Sequence, residues 1–146
     1  MNFMKLGNAE ILYINALANV CGVNAKACII DENAIIFMVK GSDVGKAIGK
    51  QGANISALGK KLGKRVEVFG FADNAADFIR GAFPKISFAG FEEAQAENSK
   101  KVLFMMLDQE NKRALLENSG KLKRIKEIAR KTYNVDEVII KNAEHF

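Results

Sequence analysis

The order of predicted secondary-structure elements repeats halfway along the 146-residue chain, and this repeat constrains the fold more than any other feature. Residues 1–70 are predicted to form a helix, two strands, a short helix, a glycine turn, a longer helix and a strand. The same order returns over residues 71–146. Because each half has the length of a small domain, the sequence predicts an α+β fold of two tandem domains, 1–70 and 71–146. No flexible Gly/Ser tether lies near Gly70, so we expect the two domains to pack rigidly.

The first half carries distinct helix and strand signals. Apolar residues at helical spacing run from a candidate cap at Asn8 to a stop at Gly22. Apolar and β-branched residues at 27–30 and 34–39 flank a turn at 31–33, which predicts an antiparallel hairpin. A short helix over 44–48, a helix that closes at Gly63 and a strand over 65–69 follow.

The second half repeats these elements. A helix is predicted to begin near Asp73 or Asn74 and to end before Pro84, the only proline in the chain. Strands are predicted over 86–91 and 102–107, and the acidic, alanine-rich segment 92–99 is predicted to be the loop between them. Helices over 111–116 and 121–132 and a strand over 138–140 complete this half.

Positive charge is concentrated at matching places in the two halves. The chain has 22 Lys and Arg residues against 17 Asp and Glu, a formal net charge of +5. Residues 40–65 contain seven basic residues and one acidic residue, and residues 121–131 contain six and one. A lysine-rich helix face is often only solvated surface. Two such segments at equivalent places in a repeat favour an anionic partner.

A G-x-x-G turn, Gly49-Lys50-Gln51-Gly52, separates the two helices of the first basic segment. Glycines accept positive φ angles and leave no Cβ in the way of an approaching phosphodiester backbone. The helix that follows directs free N–H groups and the positive end of its dipole toward that backbone. Lys50 and Lys46 add full charges, so the turn is suited to hold an anion. A purely structural glycine turn is the alternative.

Two other glycine motifs fit this segment less well. A nucleotide-hydrolysing loop requires G-x-x-x-x-G-K-[ST], but Gly45 to Gly49 is one residue too short and Gln51 replaces the magnesium-binding hydroxyl. A dinucleotide fingerprint requires G-x-G-x-x-G, of which only half is present. Nucleotide hydrolysis and dinucleotide binding are therefore disfavoured.

Metal, membrane and catalytic sites find little support in the sequence. Cys21 and Cys28 have no CxxC spacing and the one histidine is His145, so we expect reduced core thiols and no zinc site. The longest apolar runs are far shorter than a membrane span. No serine or carboxylate has partners that suggest catalysis. We expect a cytoplasmic, non-enzymatic protein with no cofactor, no membrane contact and no small-molecule substrate.

The residues around the turn resemble a known family. The strand AIIFMVK followed by VGKAIGKQGANISALGKKLGKRVEVF is similar to the first KH domain of archaeal NusA-like transcription factors, which consist of two KH domains. The upstream ACIIDENAIIFMVK and the downstream FADNAADFIRGAF extend this similarity over nearly the whole chain. The resemblance implies two tandem type II (prokaryotic) KH domains, each α-β-β-α-α-β, that bind single-stranded RNA.

The resemblance also implies which residues bind RNA. The turn would clamp the backbone of about four nucleotides. Lys46 and Lys60 would add charge, and Asn54 would donate a hydrogen bond. Ile48 and Ile55 would form an apolar floor under the bases, although core packing is the alternative for both. The predicted RNA-binding residues are Lys46, Ile48, Gly49, Lys50, Gln51, Gly52, Asn54, Ile55, Lys60 and Arg65.

The second half departs from the family pattern at its turn. Counting back from Leu122 as the equivalent of Ile55 places the turn on 116–119, and one inserted residue shifts it to 117–120. Both frames lack the first glycine, and Glu117 brings negative charge toward a phosphate. We therefore expect a degenerate turn in the second KH domain. The weaker RNA-binding candidates there are Lys121, Lys123 and Arg124.

The resemblance implies a NusA-like factor that acts on nascent RNA in transcription elongation, termination or antitermination, with RNA polymerase as a partner. Two alternatives stay open. One is an RNA-binding protein of the ribosome or of RNA processing, and the other is a protein-interaction module that keeps the KH fold without binding RNA.

Overall fold

The computed structural model describes residues 7–143, and within them six helices and six strands form two units. The first unit ends at Ala72 and the second begins at Asp73. Each unit has the order α-β-β-α-α-β and one three-stranded mixed sheet, so the predicted α+β class and element order are confirmed. Rigid packing of the two units stays a prediction, and His145 lies outside the described residues.

The central strand of the first unit organises its sheet. Strand β2 (Ala34–Lys40) is antiparallel to β1 (Ala25–Ile30) and parallel to β3 (Arg65–Phe71). A parallel pair requires a crossover connection, which here contains α2 (Val44–Ile48) and α3 (Ala53–Leu62). The glycine turn lies inside this crossover, next to the edge strand β3.

The core of the first unit lies between the sheet and helices α1 (Asn8–Cys21) and α3. Leu17, Phe37 and Leu58 are fully buried there. Gly22, in the left-handed conformation, ends α1 as predicted, whereas Gly7 rather than Asn8 occupies the N-cap position. Both cysteines are free thiols that pack into or against this core, with Cys21 buried and Cys28 half-buried.

The second unit repeats this arrangement. Strand β5 (Lys101–Leu107) is antiparallel to β4 (Gly90–Gln95) and parallel to β6 (Glu137–Asn142). Its helices are α4 (Ala75–Ala82), α5 (Gln109–Leu116) and α6 (Ser119–Tyr133). Its buried core includes Phe78, Met105, Leu115 and Ile128. Asn74, not Asp73, caps α4 by accepting a hydrogen bond from the Asp77 N–H over 2.8 Å.

Strand β4 begins four residues later than the sequence predicts. The predicted strand 86–91 is irregular as far as Ala89, and the predicted loop contributes residues 92–95 to the strand. Glu92 is paired with Phe104 and Gln95 with Lys101. These polar residues have low strand propensity, but they occupy an exposed edge strand, where pairing with the apolar β5 overrides that preference.

Candidate nucleic-acid interface

The glycine turn between α2 and α3 has an unusual backbone. Three of its four residues have positive φ angles: Gly49 at 79°, Gln51 at 56° and Gly52 at 75°. Gly49 combines this φ with a ψ of 171°, a region that essentially only glycine enters. Gln51 is left-handed although it carries a side chain. The turn therefore needs glycine most strictly at its first position.

Asn54 closes the turn from inside. Its Nδ2 donates a hydrogen bond to the main-chain oxygen of Lys46 over 2.9 Å, joining α3 to α2. A Cβ at Gly49 would lie 2.7 Å from Asn54 Cγ and 2.8 Å from Asn54 N. The side chain that the sequence predicts to donate to RNA thus makes a hydrogen bond within the protein, and the absence of a side chain at Gly49 makes room for it.

The predicted cations around the turn have different surroundings. Lys50 and Gln51 are exposed at the tip of the turn, and Lys60 is exposed on α3. Lys46 is also exposed, but its Nζ lies 3.5 Å from where a Cβ on Gly22 would be, beside the C-terminal end of α1. A cation is favoured at that negative end of the helix dipole. Lys50 is therefore the exposed cation that lies within the turn itself.

A shallow groove of about 500 Å³ runs from the turn between α3 and β3. Its floor contains Ile55 and the buried Val66, so the predicted apolar role of Ile55 has a matching location. Ile48 is half-buried and does not line this groove. Sequence reasoning missed five of the residues that line this groove: Ser56, Gly59, Gly63, Lys64 and Val66.

The glycine at position 59 lets helix and strand approach closely. A Cβ there would lie 3.0 Å from the main-chain oxygen of Lys64, tighter than almost any real contact. The spacing of Gly52, Ser56 and Gly59 at four and three residues was the available sequence signal for this small-residue wall. This wall lines the groove beside the start of β3.

The edge of β3 that faces away from β2 has no strand partner among residues 7–143. Arg65, at the start of β3, forms an ion pair of 3.1 Å with Glu67. Phe69 and Phe71 do not line the groove, and the ring of Phe71 lies 5.9 Å from Lys26 Nζ. The groove therefore offers apolar, small and cationic side chains beside a strand edge, without an aromatic platform.

The corresponding joint of the second unit is shorter and has no glycine turn. Only Glu117 and Asn118 separate α5 from α6, and neither has a positive φ. Ser119 and Gly120, which the sequence frames assign to the turn, already belong to α6. This helix has 15 residues against 10 in α3. The extra length lies at its N-terminal end.

The ends of the two helices give the equivalence between the units. Gly63 ends α3 and Asn134 ends α6, both in the left-handed conformation. Counted back from these residues, Lys126 corresponds to Ile55, and Lys123 corresponds to Gly52. The sequence count that equated Leu122 with Ile55 is thus off by about one helical turn, and Leu122 is a buried core residue.

The three cations proposed as weaker candidates differ in exposure. Lys121 is half-buried, with its Nζ 4.9 Å from the centre of the Phe83 ring. Lys123 is exposed, and Arg124 is half-buried. Lys121 packs on an aromatic ring, and Arg124 is half-buried. Their charges are therefore less exposed to solvent than the charge of Lys123.

Within residues 7–143, no group of His, Cys, Asp or Glu side chains is arranged to hold a metal ion. Among the helices of the same residues, none is long and apolar enough to cross a membrane.

Comparison with known proteins identifies the class. The KH domain family matches residues 14–71, which span the first sheet, both helices of the crossover and the glycine turn. The crystal structure of APE1850 superposes with a TM-score of 0.85 at 27% identity, covering 93% of this chain and all of that one. The chain is therefore a KH-domain protein with two KH-like units.

Three curated relatives carry the name "Probable transcription termination protein NusA". The protein from Methanocaldococcus jannaschii is 29% identical over 81% of this chain and 64% of its own length, and that from Methanococcus vannielii is 27% identical over 81% and 68%. The Halococcus morrhuae protein is 22% identical over 92% and 96%. The chain is thus similar over 81% to 92% of its length to these archaeal proteins.

Proposed function

We propose that this protein binds single-stranded RNA through the glycine turn and the α3–β3 groove of its first unit. The observation that carries the proposal is the backbone of the turn, where Gly49, Gln51 and Gly52 all have positive φ. This conformation leaves the main chain open to a phosphate at the N-terminal end of α3. KH domains clamp four nucleotides of RNA backbone with this kind of turn.

The charges and side chains around the turn support the same ligand. Lys50 and Lys60 are exposed, and residues 40–65 contain one acidic residue against seven basic ones. Ile55 and Val66 supply an apolar floor on which bases can lie. The open edge of β3 supplies main-chain groups for base edges. Together these features suit an RNA strand more than an isolated anion.

The cellular role that we propose rests on the relatives. Because the chain spans 64% of the Methanocaldococcus protein, their role is carried over as a proposal. The protein acts on nascent RNA as a NusA-like elongation and termination factor, associates with RNA polymerase in the cytoplasm and catalyses no reaction. Residues 1–70 are the main RNA-binding domain. Residues 71–146 form a second KH domain with a degenerate turn, which adds a weak contribution through Lys121, Lys123 and Arg124.

The binding proposal is tested by reversing charge at the tip of the turn. Lys50→Asp with Gln51→Asp should abolish binding of a fluorescent single-stranded RNA while the melting temperature is retained, because Asp tolerates the left-handed conformation at position 51. A matched control is Lys85→Asp with Gln95→Asp, which makes the same charge change at exposed positions of the second unit. Equal affinity of the two double variants would refute the assignment.

The transcription role needs a separate measurement. The tagged full-length protein should copurify with RNA polymerase from its source cells after nuclease treatment. Copurification with ribosomes instead would favour ribosome-related binding. Copurification with other proteins, together with absence of RNA binding in the first experiment, would favour a protein-interaction module.

A further inference from the structure

The second unit has its own groove, in the place that corresponds to the RNA groove proposed for the first. It lies between α6 and the edge strand β6 and encloses about 430 Å³. Its chemistry differs from that of the α3–β3 groove. Most of its lining side chains are charged, and the lining residues include Lys123, Lys126, Glu127, Arg130, Glu137 and Ile139.

Long charged side chains replace the small and apolar residues of the first groove. Counted from the left-handed residue that ends each helix, Lys126 stands where Ile55 does, and Arg130 stands at the position of Gly59. A Cβ on Gly59 would lie 3.0 Å from the main-chain oxygen of Lys64, the residue before β3. The helical wall of the second groove therefore has no apolar bed for a base.

The two walls of this groove carry opposite charges. Lys123, Lys126 and Arg130 line the helical side, and Arg130 is paired with Glu127 at 3.5 Å. Asp136 and Glu137 line the strand side, where the first groove has Lys64 and Arg65. A polynucleotide carries a negative phosphate at every nucleotide, so some of its phosphates would lie close to these carboxylates and be repelled by them. A peptide strand directs alternate side chains to opposite sides, so it can present carboxylates to the basic wall alone.

The main chain of β6 is open on the groove side. The Ala143 N–H donates to the Leu107 oxygen over 3.0 Å, and Leu107 is opposite Asn142 in the parallel pair. In a parallel strand, alternate residues bond to the same neighbour, so Glu137, Ile139 and Lys141 bond to β5, whereas Val138 and Ile140 direct their main-chain groups away from it. Ile139 is 39% exposed, an unusual position for a large apolar side chain on a strand edge.

From these observations we propose that the α6–β6 groove binds an extended, acidic segment of a protein partner. The segment adds as a fourth strand along β6, with its main chain bonded to Val138 and Ile140. Its inward carboxylates pair with Lys126 and Lys123, and an outward apolar side chain packs beside Ile139. This site is separate from the RNA site proposed for the first unit and does not depend on it.

The test uses the full-length protein and a peptide of alternating Glu and Val as the probe. Nuclear magnetic resonance should show saturable shifts and slowed hydrogen exchange at the amides of Val138 and Ile140. Lys126→Glu should weaken binding roughly tenfold, since it places a carboxylate against the ligand's carboxylates. Lys131→Glu is the matched control, because it makes the same change at an exposed position of α6 outside the groove. It should weaken binding much less.

A second form of the probe removes the dependence on protein variants. The same peptide, N-methylated on the residues that face β6, should lose binding because it cannot donate to the strand edge. Two results would overturn the proposal. One is the absence of any shift in this groove at millimolar peptide. The other is a short single-stranded RNA that shifts the Val138 and Ile140 amides with the same dependence on Lys126.

Discussion

Asn54 joins the two helices of the glycine turn by donating a hydrogen bond from Nδ2 to the main-chain oxygen of Lys46, 2.9 Å away. The acceptor lies in the last turn of α2, where main-chain oxygens lack partners within their own helix. This one contact therefore satisfies a helix end and sets the angle at which α3 leaves the turn.

Replacing Asn54 by alanine should lower both stability and RNA affinity. Loss of the bond to Lys46 should reduce the free energy of unfolding by about 1 kcal/mol, measured by urea denaturation. Ser56→Ala, on the exposed face of the same helix, is the control and should leave stability nearly unchanged. If Asn54 served RNA alone, its alanine variant would bind more weakly at unaltered stability.

The two glycines of the turn should respond unequally to alanine. Gly49→Ala forces a Cβ to within 2.8 Å of the Asn54 main-chain nitrogen at a φ and ψ that only glycine readily adopts. A loss of about 3 kcal/mol or more is expected. In Gly52→Ala the new Cβ has no neighbouring atom closer than 3.9 Å. The only cost is that of holding alanine in the left-handed conformation, about 1 to 2 kcal/mol. Thermal unfolding of both variants decides this, and equal losses would contradict it.

RNA affinity should fall steeply with salt concentration. Each neutralised phosphate of a single strand contributes a slope of about −0.7 to the plot of log affinity against log salt. No aromatic side chain lines the α3–β3 groove, so the stacking contribution of about 1 to 3 kcal/mol per base is missing and charge carries more of the binding. A flat salt response in anisotropy titrations would argue against the clamp.

The two units should contribute unequally to RNA binding. Alanine replacement of Lys121, Lys123 and Arg124 should reduce affinity clearly less than the double change at Lys50 and Gln51. The reason is that the joint at Glu117 and Asn118 offers no glycine backbone for close approach, so charge on α6 acts at longer, better screened range. Both variants are titrated with the same RNA at two salt concentrations. An equal loss would show that the second unit binds RNA as strongly.

The thiol of Cys28 should resist alkylation. Its raised pKa should also make the free energy of unfolding fall at high pH. Burial, with a further contribution from the negative charge of Glu10, raises the pKa of Cys28 from its ordinary 9.0 to about 12. The unfolded chain therefore loses this proton near pH 9 while the folded chain keeps it. Stability is then lost progressively as pH rises from about 9 to about 12.

Urea denaturation at about pH 8 and about pH 10 compares the parent with Cys28→Ala. The parent should lose more stability between the two pH values than the variant does. Rapid reaction of Cys28 with iodoacetamide in the folded protein at pH 8 would contradict the burial of its thiol.

The sequence by itself determined the two α-β-β-α-α-β units and the place of the glycine turn. Hydrophobic period, helix stops such as Gly22 and Gly63, and the paired glycines at 49 and 52 are local properties, readable without knowing what each segment contacts.

Only the tertiary structure decided the features that depend on segments distant in sequence. Residues 92–95 form a strand because β5 offers an edge to pair with, against their own propensity. The second turn is absent because α6 begins five residues earlier, relative to its end, than α3 does. Asn54 bonds to Lys46, since the fold of the turn brings a helix-end carbonyl within its reach. Such outcomes depend on which residues the fold brings into contact. These contacts join segments that are distant in sequence, so they cannot be deduced from the local sequence.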